Sequence, residues 1–178
     1  MKSNSRVNPN AHRVAVGQLL NLLLADEFVL YVTTRDYHWN VLGPEFPALH
    51  AQFEAQYEQA ATWIDDIAER ARAIGIGARG NWSDLGQLAR ISAARGHGLP
   101  SVRMLSELLT LHKGLVRQLL LDGRACVEVH HDVGTADFLT GLMREHEKTA
   151  WMLRAQIDPG NYLPRRSVQA AKRVAVRR

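Results

Sequence analysis

The chain of 178 residues reads as an all-α protein: a four-helix bundle with a short extra helix in the connection between helices two and three. Three observations predict this. Apolar residues recur every three or four positions over four separate stretches, no stretch alternates apolar and polar residues as a half-buried strand would, and clusters of glycine and proline fall between the periodic stretches.

Helix one spans about Val14 to Tyr37, with Leu20, Leu23, Leu24, Phe28 and Tyr31 on its apolar stripe. Gly43, Pro44 and Pro47 interrupt it, because proline removes a backbone donor and restricts its predecessor. Helix two follows from about Pro47 to Ile74 (Leu49, Phe53, Tyr57, Ile64, Ile67), and Gly75 and Gly77 close it. Ser83 or Asp84 is expected to cap a short helix running through Ile91, which Gly96, Gly98 and Pro100 end. Ser101 is a plausible cap for helix three, which carries Leu105, Leu108, Leu115 and Leu119 toward Val129 in spite of Gly114 and Gly123. After a break at Asp132 to Gly134, Thr135 or Asp137 opens helix four, which lasts until Asp158-Pro159-Gly160. Four long helices without strands pack most simply as a bundle.

One domain of this length buries a core without covalent staples. Cys126 is the lone cysteine, so no disulfide forms within the chain, and its apolar surroundings suit a small core residue in a reducing cytoplasm. The polar N-terminus lacks a secretory apolar region, and the most apolar stretch, Leu19 to Val32, is interrupted by Asp26 and Glu27, which argues against a membrane span. Net charge is +4, yet Arg165, Arg166, Lys172, Arg173, Arg177 and Arg178 stand together without an acid, so a mildly acidic body carries a basic tail suited to an anionic partner. The expected organisation is an N-terminal extension over residues 1–10, the bundle over 11–157 and the tail over 158–178.

The densest chemistry lies between Tyr37 and Arg70. His50 and Glu54 are four residues apart, as are Asp65 and Glu69, and at about 100° per residue each pair projects from nearly one helical face. Imidazoles with carboxylates suit iron or zinc, whereas calcium and magnesium prefer all-oxygen shells. His50 and Asp65 are separated by about 22 Å of helix at 1.5 Å per residue, far beyond a metal–ligand bond of about 2 Å. Either the two pairs are unrelated, or a second copy lies antiparallel and brings its Asp65 and Glu69 to the first copy's His38 and His50. Spacing alone permits both readings.

The same stretch resembles the Dps family, ferritin-like DNA-binding proteins of starved bacteria. The likeness rests on His38-Trp39-Asn40, Gly43, Phe46, Leu49-His50, Asp65 and Ile67-Ala68-Glu69-Arg70, joined by His146-Glu147-Lys148 and Trp151 to Ala155, over about residues 11 to 157. The resemblance implies a hollow dodecamer built from twofold dimers, in the cytoplasm at the nucleoid. It implies a ferroxidase that oxidises ferrous iron, preferably with hydrogen peroxide, stores the ferric product and protects DNA. It assigns His38 and His50 of one subunit, with Asp65 and Glu69 of its partner, to an iron site that zinc can also occupy. Glu54 stands where many members have aspartate, and its longer arm leaves the second iron's geometry open. Acids in the region of Asp132 and Asp137 line threefold, iron-admitting pores in the family.

Each of these residues also has a plainer role. A single histidine on a helix is more often hydrogen-bonded or exposed than ligating, and His38 near a helix end also suits the dipole. Asp65 sits beside Asp66, which has equal geometric claim, and Glu69 has Arg70 and Arg72 as surface partners. Asp132 and Asp137 can simply cap a helix. Trp39 suits packing beside the site better than redox work. His12, His97, His112, His130, His131 and His146 are expected in solvated or capping roles, although His146 is flanked by Glu145 and Glu147. The tail is either a DNA-binding arm, whose phosphate contacts weaken with salt and carry no base readout, or a solvated end. Two rival functions follow: a nucleoid-compacting protein with a vestigial metal site, and a ferritin-like iron store without a DNA role.

Overall fold

The computed structural model describes residues 9–92 and 98–158. Five helices follow one another: α1 (Pro9–Asn40), α2 (Phe46–Ala73), α3 (Trp82–Leu88), α4 (Ser101–Glu128) and α5 (Val133–Ile157). The four long helices form the bundle and α3 lies in the crossover between α2 and α4, as the sequence predicts. Short turns make α1 and α2 one antiparallel hairpin and α4 and α5 another. These two pairs pack most closely, and α1 bridges them through contacts with α4 and with α3.

Several helix ends differ from the sequence expectation, each for a local reason. The first helix begins at Pro9, since proline is tolerated where the backbone donor has no helical partner, and Pro47 likewise sits in the first turn of α2. The short helix is capped by Asn81, not Ser83 or Asp84: its side chain accepts from the Asp84 amide at 2.9 Å. It stops at Leu88, not Ile91, because the amides of Arg90 and Ile91 donate to the Asp26 carboxylate of α1. The last helix starts at Val133, two residues before Thr135 and four before Asp137, with Asp132 in the capping role the sequence allowed it, accepting from the Thr135 amide at 2.8 Å.

Leu20, Leu23 and Leu30 of α1, Phe53 and Ile67 of α2, Leu108 and Leu115 of α4, and Leu139 and Leu153 of α5 are buried at the centre, with Cys126 among them. Burial raises the Cys126 thiol pKa to about 11, the reverse of what a reactive cysteine needs. By length and composition α1 would pass as a membrane span. Its apolar face is instead spent on the core, and its acids Asp26 and Glu27 are fully buried, the first against Arg90 in the connection after α3 and the second against His146 of α5.

Asp26 anchors the crossover. Arg90 donates through Nε to Asp26 at 2.8 Å and through Nη1 to Asp122 of α4 at 2.8 Å, so one guanidinium bridges two buried carboxylates. Burial raises the Asp122 pKa, and the Arg90 hydrogen bond and charge oppose that rise. Asn21 fixes the preceding turn, donating to the Gly77 carbonyl and accepting from the Arg79 amide. Gly17 is required beneath it, because a Cβ there would stand 2.5 Å from the Ile76 side chain.

Candidate metal centre

Near the end of α1 and the start of α2, residues 41–45 turn the chain back on itself. Gly43 adopts a left-handed φ of +108° and its carbonyl accepts from the Phe46 amide at 3.0 Å. The turn lays His38 against His50. Their rings stack with centroids 3.8 Å apart and planes inclined by 22°. His38 Nδ1 lies 2.9 Å from the His50 carbonyl oxygen, and His50 Nδ1 lies 2.8 Å from the His38 carbonyl oxygen. A carbonyl only accepts, so both Nδ1 atoms carry hydrogen; each ring in its neutral form keeps its lone pair on Nε2. The backbone therefore sets the tautomer of both imidazoles, a role that outer groups play around metal-binding histidines.

Aromatic groups frame the pair. Phe46 stacks on His50 at 5.0 Å, and Tyr57 meets His38 edge to face at 5.2 Å. The Tyr57 hydroxyl donates to the Glu54 carboxylate at a long 3.5 Å, which places Glu54 one turn beyond His50 in the same neighbourhood. The Arg35 guanidinium lies 5.0 Å from the Tyr57 ring and 5.4 Å from the Trp39 ring, within cation–π range. Neither Arg35 nor Tyr57 was singled out by motif; only their helical spacing from His38 and Glu54 signals them. His38 is 7% exposed, whereas Trp39 is 64% and Leu42 79% exposed, so a buried imidazole is rimmed by uncovered apolar surface.

Asp65, Asp66 and Glu69 are exposed on the same helix as His50. The chain brings His38 and His50 together, with Glu54 one turn farther along α2, and leaves Asp65 and Glu69 about 22 Å and more beyond His50 at 1.5 Å per residue. Among the described residues no three His, Cys, Asp or Glu side chains form a metal cage within one chain. Arg70 turns away from Glu69: it lies 3.4 Å from Asp132 and donates to the Thr135 hydroxyl at 2.8 Å.

Asp132 is thus a helix cap and an ion-pair partner. Partial burial works to raise its pKa, but the Thr135 hydrogen bonds and the Arg70 charge outweigh that and hold it below the ordinary value. Asp137 is exposed on the first turns of α5. The basic residues Arg165, Arg166, Lys172, Arg173, Arg177 and Arg178, the first eight residues and His97 lie outside the described residues.

Two histidines expected at the surface are instead in the core. His146 and Glu27 are fully buried with His146 Nε2 2.9 Å from Glu27 Oε1, and His146 Nδ1 lies 2.9 Å from His112 Nδ1. Trp63 packs against His146, with ring centroids 4.4 Å apart. Burial, with His146 nearby, pushes the His112 pKa well below its usual value. The signal in the sequence was present but weak: His112 and His146 fall in register with Leu108, Leu115, Leu142 and Leu153 on apolar stripes.

Residues 17–161 match the ferritin-like domain family. A low temperature-induced protein of Nostoc sp. is 42% identical over 146 residues, 82% of each chain. DNA protection during starvation protein 2 of Bacillus anthracis is 35% identical over 141 residues, covering 79% of this chain and 95% of that one. The crystal structure of the Dps protein of Vibrio cholerae O1, described as a member of a broad superfamily of ferritin-like diiron-carboxylate proteins, superposes with a TM-score of 0.78 at 29% identity, covering 88% of this chain and 98% of that one.

Proposed function

Because the chain belongs to the Dps branch of the ferritin-like family, we propose that it is an iron-oxidising and iron-storing protein whose working site is shared between two subunits. The observation that carries this reading is the reciprocal His38–His50 pair, two imidazoles each with its Nδ1 committed to a backbone carbonyl. His38 and His50 of one subunit, with Glu54 close by, supply the nitrogen side of the site. Asp65 and Glu69 of the partner supply the carboxylates, in an isologous arrangement that generates two equivalent sites per dimer.

This division follows from reach. The acids lie too far along α2 to share an ion with their own histidines. The surface supports a partner as well: Trp39, Leu42 and Phe46 rim the histidines, and Phe28, Val32, Trp82 and Leu85 line an apolar hollow of about 270 Å³ between α1 and α3. Trp82 is 78% exposed, and uncovered apolar area of this kind marks association surfaces. A dodecamer of such dimers would enclose the space in which ferric product accumulates.

The chemistry suits the donors. Ferrous iron is the substrate, and hard carboxylates favour the ferric product. Two ferrous ions give one electron each to one hydrogen peroxide; its O–O bond breaks and, with two protons, two waters form. No hydroxyl radical is released, which protects DNA nearby. Zinc, with the same tolerance for imidazole and carboxylate, can occupy the site in place of iron. Through its basic tail the protein would also bind DNA without sequence preference, in the cytoplasm at the nucleoid. Several weak phosphate contacts per particle act together and fade with salt.

Peroxide-driven oxidation of ferrous iron tests the site: His38→Ala with Asp65→Ala should abolish the fast phase, and an unchanged rate would refute the assignment. A gel shift comparing the full chain with one ending at Pro164 tests the tail, since equal retardation removes it as the DNA-binding element.

A further inference from the structure

A third pair of histidines meets at the opposite end of α1 from His38. His12, in the first turn of α1, and His130, just beyond α4, approach across 118 residues with their Nδ1 atoms 3.1 Å apart. The rings meet edge to face at 5.3 Å. His131 follows, its ring 6.2 Å from that of His12, and it is the one non-glycine among the described residues with a left-handed backbone, φ +55°. Side chains seldom adopt that conformation, and where they do it is often at sites of function. The three imidazoles border an open hollow of about 520 Å³ between the start of α1 and the α4–α5 corner.

Two facing Nδ1 atoms share either one hydrogen or one ion. Nitrogen ligands about 2.0–2.1 Å from a metal stand about 2.9–3.4 Å from each other, from octahedral to tetrahedral angles, and the observed 3.1 Å falls inside that range. The neighbouring charges are already engaged: the Asp132 carboxylate with Arg70 and Thr135, and Arg13 with Asn10 at 2.8 Å. That leaves a neutral, nitrogen-only donor set, which selects zinc, nickel or copper over calcium and magnesium, and lacks the hard carboxylates that ferric iron prefers.

We propose that His12 and His130 form a separate site for one divalent transition-metal ion of the zinc, nickel or copper class, with His131 alongside and solvent completing the shell. A bound ion would tie the start of α1 to the α4–α5 corner. The site does not depend on the iron-oxidation reading, because it shares no residue with His38, His50, Asp65 or Glu69.

Zinc titration by calorimetry, with the full chain, His12→Asn and His130→Asn, tests this. Asparagine can still hydrogen-bond at the Nδ1 position but is a poor zinc ligand, so each variant should lose one class of zinc sites, with affinity there reduced by about tenfold or more. Peroxide-driven iron oxidation should be unchanged in both, which separates this proposal from the other one. In the parent chain, zinc should shield His12 and His130 from diethylpyrocarbonate, a reading that needs no variant. Identical zinc isotherms in parent and variants, or no shielding of either histidine, would overturn the proposal.

Discussion

His38 and His50 hold each other through their backbones: each ring donates from Nδ1 to the other's carbonyl, at 2.9 and 2.8 Å. Replacing His50 by alanine removes a proposed ligand and frees the His38 carbonyl. The carbonyl of residue 50 remains for His38, so one neutral hydrogen bond of about 0.5–1.5 kcal/mol is lost, and the variant should still fold while peroxide-driven iron oxidation falls by about tenfold or more. Denaturant melts alongside stopped-flow absorbance check both halves.

A shared site makes a quantitative prediction for mixed particles. If His38→Ala and Asp65→Ala chains are dissociated, mixed equally and reassembled, half of the dimers carry one chain of each kind. Each such dimer has one doubly broken site and one intact site, so activity should return to about a quarter of the parent value from two inactive parents. A site confined to one chain gives no recovery on mixing.

His112 links folding to pH. Its folded pKa lies below the ordinary 6.5 because burial disfavours the charged ring. The unfolded chain therefore takes up its proton first as pH drops. The stability this group allows is complete above about 6.5 and is lost as pH falls through the lower folded value. Urea midpoints should decline between pH 8 and pH 5, and the decline should be shallower in His112→Leu.

Cys126, with its pKa raised to about 11, should resist aromatic disulfide reagents at pH 8 in the folded protein and react promptly in denaturant. Fast labelling of the folded chain would contradict its place in the core.

Asp132→Ala removes the cap of α5 and the partner of Arg70. Loss of the cap alone costs about 1 kcal/mol. The difference from the parent should shrink at acidic pH, as the depressed carboxylate of the parent protonates, and thermal melts at pH 7 and pH 3 read it.

The helices were legible in the sequence because their apolar residues repeat with the helical period, and the two hairpins because glycine and proline mark the turns. The error at the short helix arose from a tertiary contact: Asp26, 64 residues before Arg90, takes the amides that would have continued α3. Local pattern carries no trace of that. The proximity of His38 to His50 was implied by motif but not by spacing, since twelve residues and a turn separate them. His112 and His146 were misplaced because histidine is read as polar, whereas here their Nδ1 atoms meet each other inside the bundle. Asp65 and Glu69 stand apart from the histidines along α2, and in the proposed site a second copy would bring them there.

The arginine at position 90 has a bearing on how the crossover meets proteases. Detaching it from the bundle would strand Asp26 and Asp122 in a nearly dry interior without a counter-charge, a penalty comparable with much of a small domain's stability. Cleavage of the peptide bonds next to Arg90 should therefore track global unfolding, and this stretch of chain should resist trypsin for as long as the helices around it stand.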